Sequence, residues 1–155
     1  MSTLSGMKYY KTSKAGGSFP LDQEGSIREI YLDTYLKIGD ELRVEGAKVE
    51  IIKYGFWKGK FCEVTITTKG FKNWVSLKKA VLGKFGEGKV ARFPYYPGFE
   101  GGGEEVEWHI WLGKITEMEL LYNENSQITE LWMESTVFRE KAFKKVEQEQ
   151  RGGKK

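Results

Sequence analysis

The chain has 155 residues, 25 Lys and Arg against 22 Asp and Glu, a formal net charge of +3, and 14% aromatic residues. This length suits one domain with a substantial core, and the aromatic content argues against disorder. The single Cys62 and single His109 exclude a disulfide framework within the chain and a cysteine-based or multi-histidine zinc site.

Two further features of the composition bear on where the protein works. The amino terminus lacks the apolar segment of a signal peptide and no window approaches 18 apolar residues, which predicts a cytoplasmic location without membrane contact. The charged residues are mostly Lys and Glu, at 20 and 19, while Asn and Gln number 3 and 4. This bias is typical of thermophilic proteins.

The charges are sorted along the chain. Residues 1–36 are neutral, 37–92 carry +7, 93–138 carry −8 and 139–155 carry +4. Between Lys53 and Arg92, ten basic residues and seven aromatic residues accompany two acids. Such a block combines stacking platforms with phosphate-neutralising charge, as single-stranded nucleic-acid grooves do. Ordinary strands with solvated lysines produce the same composition.

Residues 1–20 are predicted to form a flexible amino-terminal arm, 21–150 a single α+β domain and 151–155 a basic disordered tail. The run at 27–36 fits a helical stripe and, in part, a strand. Two short strands are predicted at Leu42–Val44 and Val49–Tyr54 around a tight turn containing Gly46.

A β-hairpin is predicted over residues 61–78, with Lys69 and Gly70 at its turn. A two-residue loop would place Trp74 opposite Thr65 on the polar face, next to Lys72. Cys62 would then lie on the core face. Aromatic side chains among lysines on a polar strand face favour a binding surface.

The fold class that follows is α+β, predominantly an antiparallel sheet resembling a meander or an open barrel. A short helix is predicted at 77–85, a strand at 89–96, a loop at 98–105, a meander over 106–137 and a C-terminal helix after it. Asn123–Gln127 supplies the turn within the meander.

The first functional hypothesis is non-enzymatic, largely sequence-independent binding of single-stranded DNA or RNA. Aromatic side chains would stack on bases and basic side chains would neutralise phosphates. For the aromatics near residue 56 and for those at 95–96, the alternative is a lid or corner of the core. The candidate binding residues are Tyr54, Phe56, Trp57, Lys58, Lys60, Phe61, Lys72, Trp74, Lys78, Lys79, Arg92, Tyr95 and Tyr96.

Two alternatives come from other classes of protein. Glu105, Glu107 and His109 alternate along one predicted strand, and two carboxylates with an imidazole could hold the divalent metal of a nuclease. The opposite charges of the two halves could instead mediate protein–protein interaction or a homodimer. No phosphate-binding loop or nucleophile motif is present, so no cofactor is predicted.

Overall fold

The computed structural model describes residues 7–14, 31–37, 42–93 and 106–152. Its elements, in chain order, are β1 (Met7–Lys14), β2 (Tyr31–Lys37), β3 (Arg43–Val44), β4 (Ala47–Lys48), β5 (Ile51–Trp57), β6 (Lys60–Lys69), α1 (Phe71–Phe85), β7 (Lys89–Phe93), β8 (Val106–Leu112), β9 (Thr116–Asn123), β10 (Ile128–Ser135) and α2 (Thr136–Gly152). The expected α+β class with a dominant antiparallel sheet is confirmed.

Eight of the strands within these ranges form one antiparallel sheet in the order β1-β2-β5-β6-β10-β9-β8-β7. It consists of two four-stranded halves, β1-β2-β5-β6 and β7-β8-β9-β10, which meet where β6 pairs with β10. A helix follows each half along the chain. β1 and β7 are the two edges, so these strands form an open sheet and not a closed barrel.

The two helices cover opposite faces of this sheet. Trp74, Leu77 and Val81, spaced three and four residues apart, form the buried side of α1 and pack over the strands with residues such as Leu120. We call this side the α1 face. Phe138 of α2 packs in a smaller cluster on the other side, the α2 face, with Leu32, Cys62 and Ala142.

The hairpin predicted at Lys69 and Gly70 is wrong. Gly70 ends β6 and, with φ of 94°, turns the chain into α1, which begins six residues before the predicted helix. Asn73 stabilises this start, because its Nδ2 donates to the carbonyl of Lys69 and its Oδ1 accepts from the backbone of Lys48. The second predicted strand is therefore helical, and Trp74 is 4% exposed in the core.

A Lys-Gly hairpin does occur, one turn earlier in the chain. Lys58 and Gly59 have φ of 50° and 75° and join β5 directly to β6, as expected for a two-residue loop with positive φ at both positions. The aromatic residues just before it therefore lie in a strand and not in a loop.

The remaining expectations have mixed outcomes. β8, β9 and β10 form the predicted meander, and α2 begins at Thr136, close to the predicted end of the last strand. Residues 31–36 of the ambiguous run belong to the strand β2. Part of the predicted flexible arm is also a strand, since Met7–Lys14 pairs with β2. The predicted loop at 98–105 lies outside the described residues.

No helix in the described part of the chain is both long enough and apolar enough to cross a membrane.

Candidate nucleic-acid interface

Five aromatic side chains from four neighbouring strands form a continuous strip on the α1 face. The ring centroids of Tyr9 and Tyr35 lie 5.5 Å apart, and those of Tyr35 and Phe56 lie 5.3 Å apart. Phe61 continues the series, 5.7 Å from Phe56 and 6.2 Å from Tyr54. We call these five residues the aromatic strip.

The strip combines a buried centre with accessible ends. Phe56 is 7% exposed, whereas Tyr9 and Phe61 are 52% and 54% exposed. Each of the three contacts made by Tyr35 or Phe56 along the chain of rings is edge-to-face, the arrangement that aromatic quadrupoles favour. The contacts therefore hold the exposed rings in place on a fixed floor.

The pairing register extends the strip across the sheet. Side chains paired across antiparallel strands lie on the same face. The register connects, in order, Tyr9, Tyr35, Tyr54, Val64, Met133, Met118 and Trp111. One apolar row thus runs across seven strands, aromatic at both ends.

The far end of this row forms the floor of a cavity beside the C-terminal end of α1. Its volume is about 550 Å³, and its lining includes Phe85, Gly88, Trp111, Met118 and Met133. Phe85, the last residue of α1, is 52% exposed. The aromatic strip and the cavity therefore lie at opposite ends of one row.

Trp111 has a fixed orientation in this cavity. Its Nε1 donates to the carbonyl of Gly86 at 3.0 Å, and its ring lies at 16° to that of His109, with 5.9 Å between centroids. A Cβ atom at Gly88 would lie 2.8 Å from the indole ring. The absence of a side chain at this position lets the backbone approach the ring closely.

Helix α1 places basic side chains beside the row. It carries four lysines and no acid, and Lys72, Lys79 and Lys84 are exposed. Lys84 follows Asn73 by eleven residues, which places both on one side of the helix. Asn73 contacts Lys48 of β4, a strand of the separate β3-β4 pair that packs against β6. Because β6 belongs to the half of the sheet that contains the strip, this side of the helix is directed towards that half.

On the α2 face, the strands bury several carboxyl groups. Glu134 is 1% exposed, and burial raises its pKa to about 7, with Glu63 and Glu117 acting in the same direction. Arg139 opposes this rise, since its Nε donates a hydrogen bond to Glu134 at 2.7 Å. The same guanidinium also pairs with Glu117 at 2.6 Å. Burial also raises the pKa of Glu119.

Sequence reasoning identified three of the five residues of the strip, Tyr54, Phe56 and Phe61. Three other predicted residues, Trp57, Lys58 and Lys60, lie elsewhere. Trp57 packs edge-to-face against Phe138 of α2, 5.5 Å away, with the ammonium of Lys58 over its ring at 5.0 Å. Lys60 is exposed and pairs with Trp57 across the turn.

The candidate residues between 72 and 79 lie on α1 and not on a strand, so they point in different directions around the helix. Trp74 stacks on Tyr122 in the core, with centroids 4.9 Å apart and planes 5° apart, and is not available to a base. Lys78 pairs with Glu107, while Lys72 and Lys79 point to solvent. Arg92 lies in β7 without a described side chain, and Tyr95 and Tyr96 lie outside the described residues.

The proposed nuclease site is only partly described, because Glu105 lies outside the described ranges. Glu107 accepts hydrogen bonds from Lys78 and from His109 Nε2, the latter at 2.6 Å. Burial acts to raise the pKa of Glu107, but these partners outweigh it and hold that pKa below its ordinary value. Among the described residues, no three His, Cys, Asp or Glu side chains are grouped to hold a metal.

Sequence reasoning missed Tyr9, Tyr35 and the cavity. Alternation along β2 could have placed Tyr35 on the face opposite to Leu32. Nothing in the sequence, however, indicates that β1 and β2 add to β5 on the side away from β6.

Comparison with protein-family models, with curated proteins and with solved structures finds no match for this chain. The case for a function therefore depends on the residues and geometry described above.

Proposed function

We propose that this protein is a non-enzymatic, sequence-independent binder of single-stranded nucleic acid, and that the strand lies along the aromatic strip. The observation that supports this most directly is the unbroken contact of Tyr9, Tyr35, Phe56, Phe61 and Tyr54 on one sheet face. Every base has a flat π-face, so a platform of rings binds bases without selecting among them.

The dimensions of the row suit a short strand. Six strand-to-strand steps of about 4.8 Å give it a length of about 29 Å. A base that stacks on these rings takes up about one ring-to-ring spacing, which is 5.3–6.2 Å here, so about five nucleotides cover this length. We therefore expect affinity to rise with oligonucleotide length and to level off near that size.

Charge favours the same face. Lys37, next but one to Tyr35 and paired with Ile52, is exposed on the α1 face. Together with Lys84 it supplies cations beside the row, whereas the α2 face buries carboxyl groups. These two cations attract a polyanion to the α1 face beside the row. The proposal includes a cytoplasmic location, where such strands are available.

The test compares Tyr9→Ala with Tyr10→Ala. Both tyrosines are 52% exposed in β1, but Tyr10 lies at a register shift and outside the strip. We expect Tyr9→Ala to weaken binding of labelled oligo-dT by about 5- to 160-fold, because one stacked ring contributes about 1–3 kcal/mol. Tyr10→Ala should bind like the unmodified protein. Fluorescence anisotropy measures both, with oligo-U and a DNA duplex in parallel.

Equal losses in the two variants, or equal binding of duplex and single strand, would contradict the proposal. The oligo-U series distinguishes DNA from RNA. A mass that increases with protein concentration and falls with salt, without any binding of oligonucleotide, would instead favour the self-association alternative.

A further inference from the structure

We propose that the cavity at the C-terminal end of α1 is a binding site for one nucleobase, which leaves the stack and inserts beside Trp111. This inference rests on the proposed function, because the base would belong to the strand held on the aromatic strip. It adds a second, concave contact to an otherwise flat platform.

Continuity of the row identifies the occupant. The residues paired across the sheet lead from Tyr54 through Val64 and Met133 to Met118 on the cavity floor. All of these are apolar or aromatic and lie on the α1 face. A strand that follows the strip along this row brings its bases to the cavity, with Lys84 on the same border.

The lining has the chemistry of a base pocket. Extruded bases are held between aromatic and apolar side chains, and here the indole of Trp111 and the ring of Phe85 line the space with two methionines. A volume of about 550 Å³ lies within the usual range for small-molecule sites. The hydrogen bond to Gly86 and the contact with Gly88 hold the indole ready before any ligand arrives.

The polar groups near the cavity are consistent with a nucleotide. Lys89 and Glu87 belong to the lining, and both are exposed. The lysine can contact a phosphate, and the carboxylate can accept a hydrogen bond from an exocyclic amine. An aliphatic ligand would make use of neither group.

An abasic scan tests this directly. A series of oligo-dT probes, each lacking one base while keeping its backbone, is titrated against the protein and against Phe85→Ala. Phe85 is half exposed, so its truncation leaves the core of the helix intact. We expect abasic positions over the aromatic strip to lose affinity in both proteins. One further position should lose about tenfold in the unmodified protein, and that loss should disappear in Phe85→Ala.

The control is Phe71→Ala, at the other end of the same helix, 60% exposed and outside the cavity. The Phe71→Ala variant should show the same loss at that abasic position as the unmodified protein. If oligo-dT binds but Phe85→Ala removes the loss at no abasic position, the cavity proposal fails while the proposed function stands. A scan without any loss would contradict stacking on the aromatic strip as well.

Failure of all oligonucleotides to bind would contradict the proposed function itself. Free dTMP and dAMP then decide the remaining question. Quenching of Trp fluorescence by either nucleotide, reduced in Phe85→Ala and retained in Phe71→Ala, would support a base site for free nucleotides. Absence of that quenching would overturn the cavity proposal as well.

Discussion

Glu134 makes the stability of this protein depend on pH. Its carboxyl lies near Glu63 and Glu117 on the α2 face, with Arg139 as a paired cation, and burial raises its pKa to about 7. The ordinary value in an unfolded chain is about 4.5. The folded state therefore binds this proton more tightly than the unfolded state, and stability falls as pH rises from about 4.5 to about 7.

We expect this group to make the protein on the order of 2 kcal/mol more stable at pH 5.5 than at pH 8. The isosteric variant Glu134→Gln cannot ionise and should lose this contribution. Urea unfolding at several pH values measures the free energy of unfolding of both proteins. The difference between them at each pH reports Glu134 alone, because the other titrating groups contribute equally to both. An identical pH dependence in the two proteins would mean that Glu134 remains ionised throughout.

At the scale of elements, the start of α1 depends on one glycine. Gly70 has φ of 94° and ψ of 143°, a region that side chains with a Cβ rarely adopt. An added Cβ would meet no atom within 4 Å, so the cost of Gly70→Ala is conformational. We expect a loss of about 1–2 kcal/mol in the free energy of unfolding.

Gly83 offers a matched control inside the same helix. Its added Cβ also has open space, but its backbone is helical, so Gly83→Ala should increase stability by about 0.5–1 kcal/mol. Chemical denaturation followed by circular dichroism measures both variants. Destabilisation by both, or by neither, would show that backbone conformation at Gly70 does not determine where α1 starts.

This same boundary shows how far the sequence could be read. The meander over β8–β10 was predictable because alternation and turn residues agree there. The segment after Gly70 was misassigned, since its β-branched and aromatic residues resemble a strand, whereas Trp74, Leu77 and Val81 also repeat at helical spacing. Tertiary packing of these three residues decided between the two patterns.

The candidate site was less predictable than the fold for a related reason. Tyr54, Phe56 and Phe61 are close in sequence and were identified together. Tyr9 and Tyr35 join them only through strand pairing across long segments of chain, and local patterns carry no information about which strands become neighbours.

At the scale of the whole molecule, both helices carry exposed lysines, and only those of α1 lie beside the row. The lysines of α1 border one face, and the carboxyl cluster lies on the other. We expect Lys84→Gln to reduce the salt dependence of oligonucleotide binding by about 0.7 in the slope of log K against log salt, the value for one phosphate contact on a single strand.

Lys144 provides the comparison, because it is exposed on α2, on the opposite side of the sheet. Lys144→Gln changes the net charge equally and should leave the slope unchanged. Oligonucleotide titrations of both variants at four salt concentrations measure this slope. Equal changes would show that the protein acts through its total charge, with no preferred face.

The pairing of β6 with β10 has a consequence for how the chain folds. Within each half of the sheet, the paired strands are close together in the chain. The central pair instead joins residues about sixty positions apart, such as Ile66 and Leu131. Closing so long a loop costs entropy that is recovered only when the pair has formed. We therefore expect the two halves to acquire structure before the seam between them closes. The row from Tyr9 to Trp111 crosses that seam and so would be completed in the last step of folding.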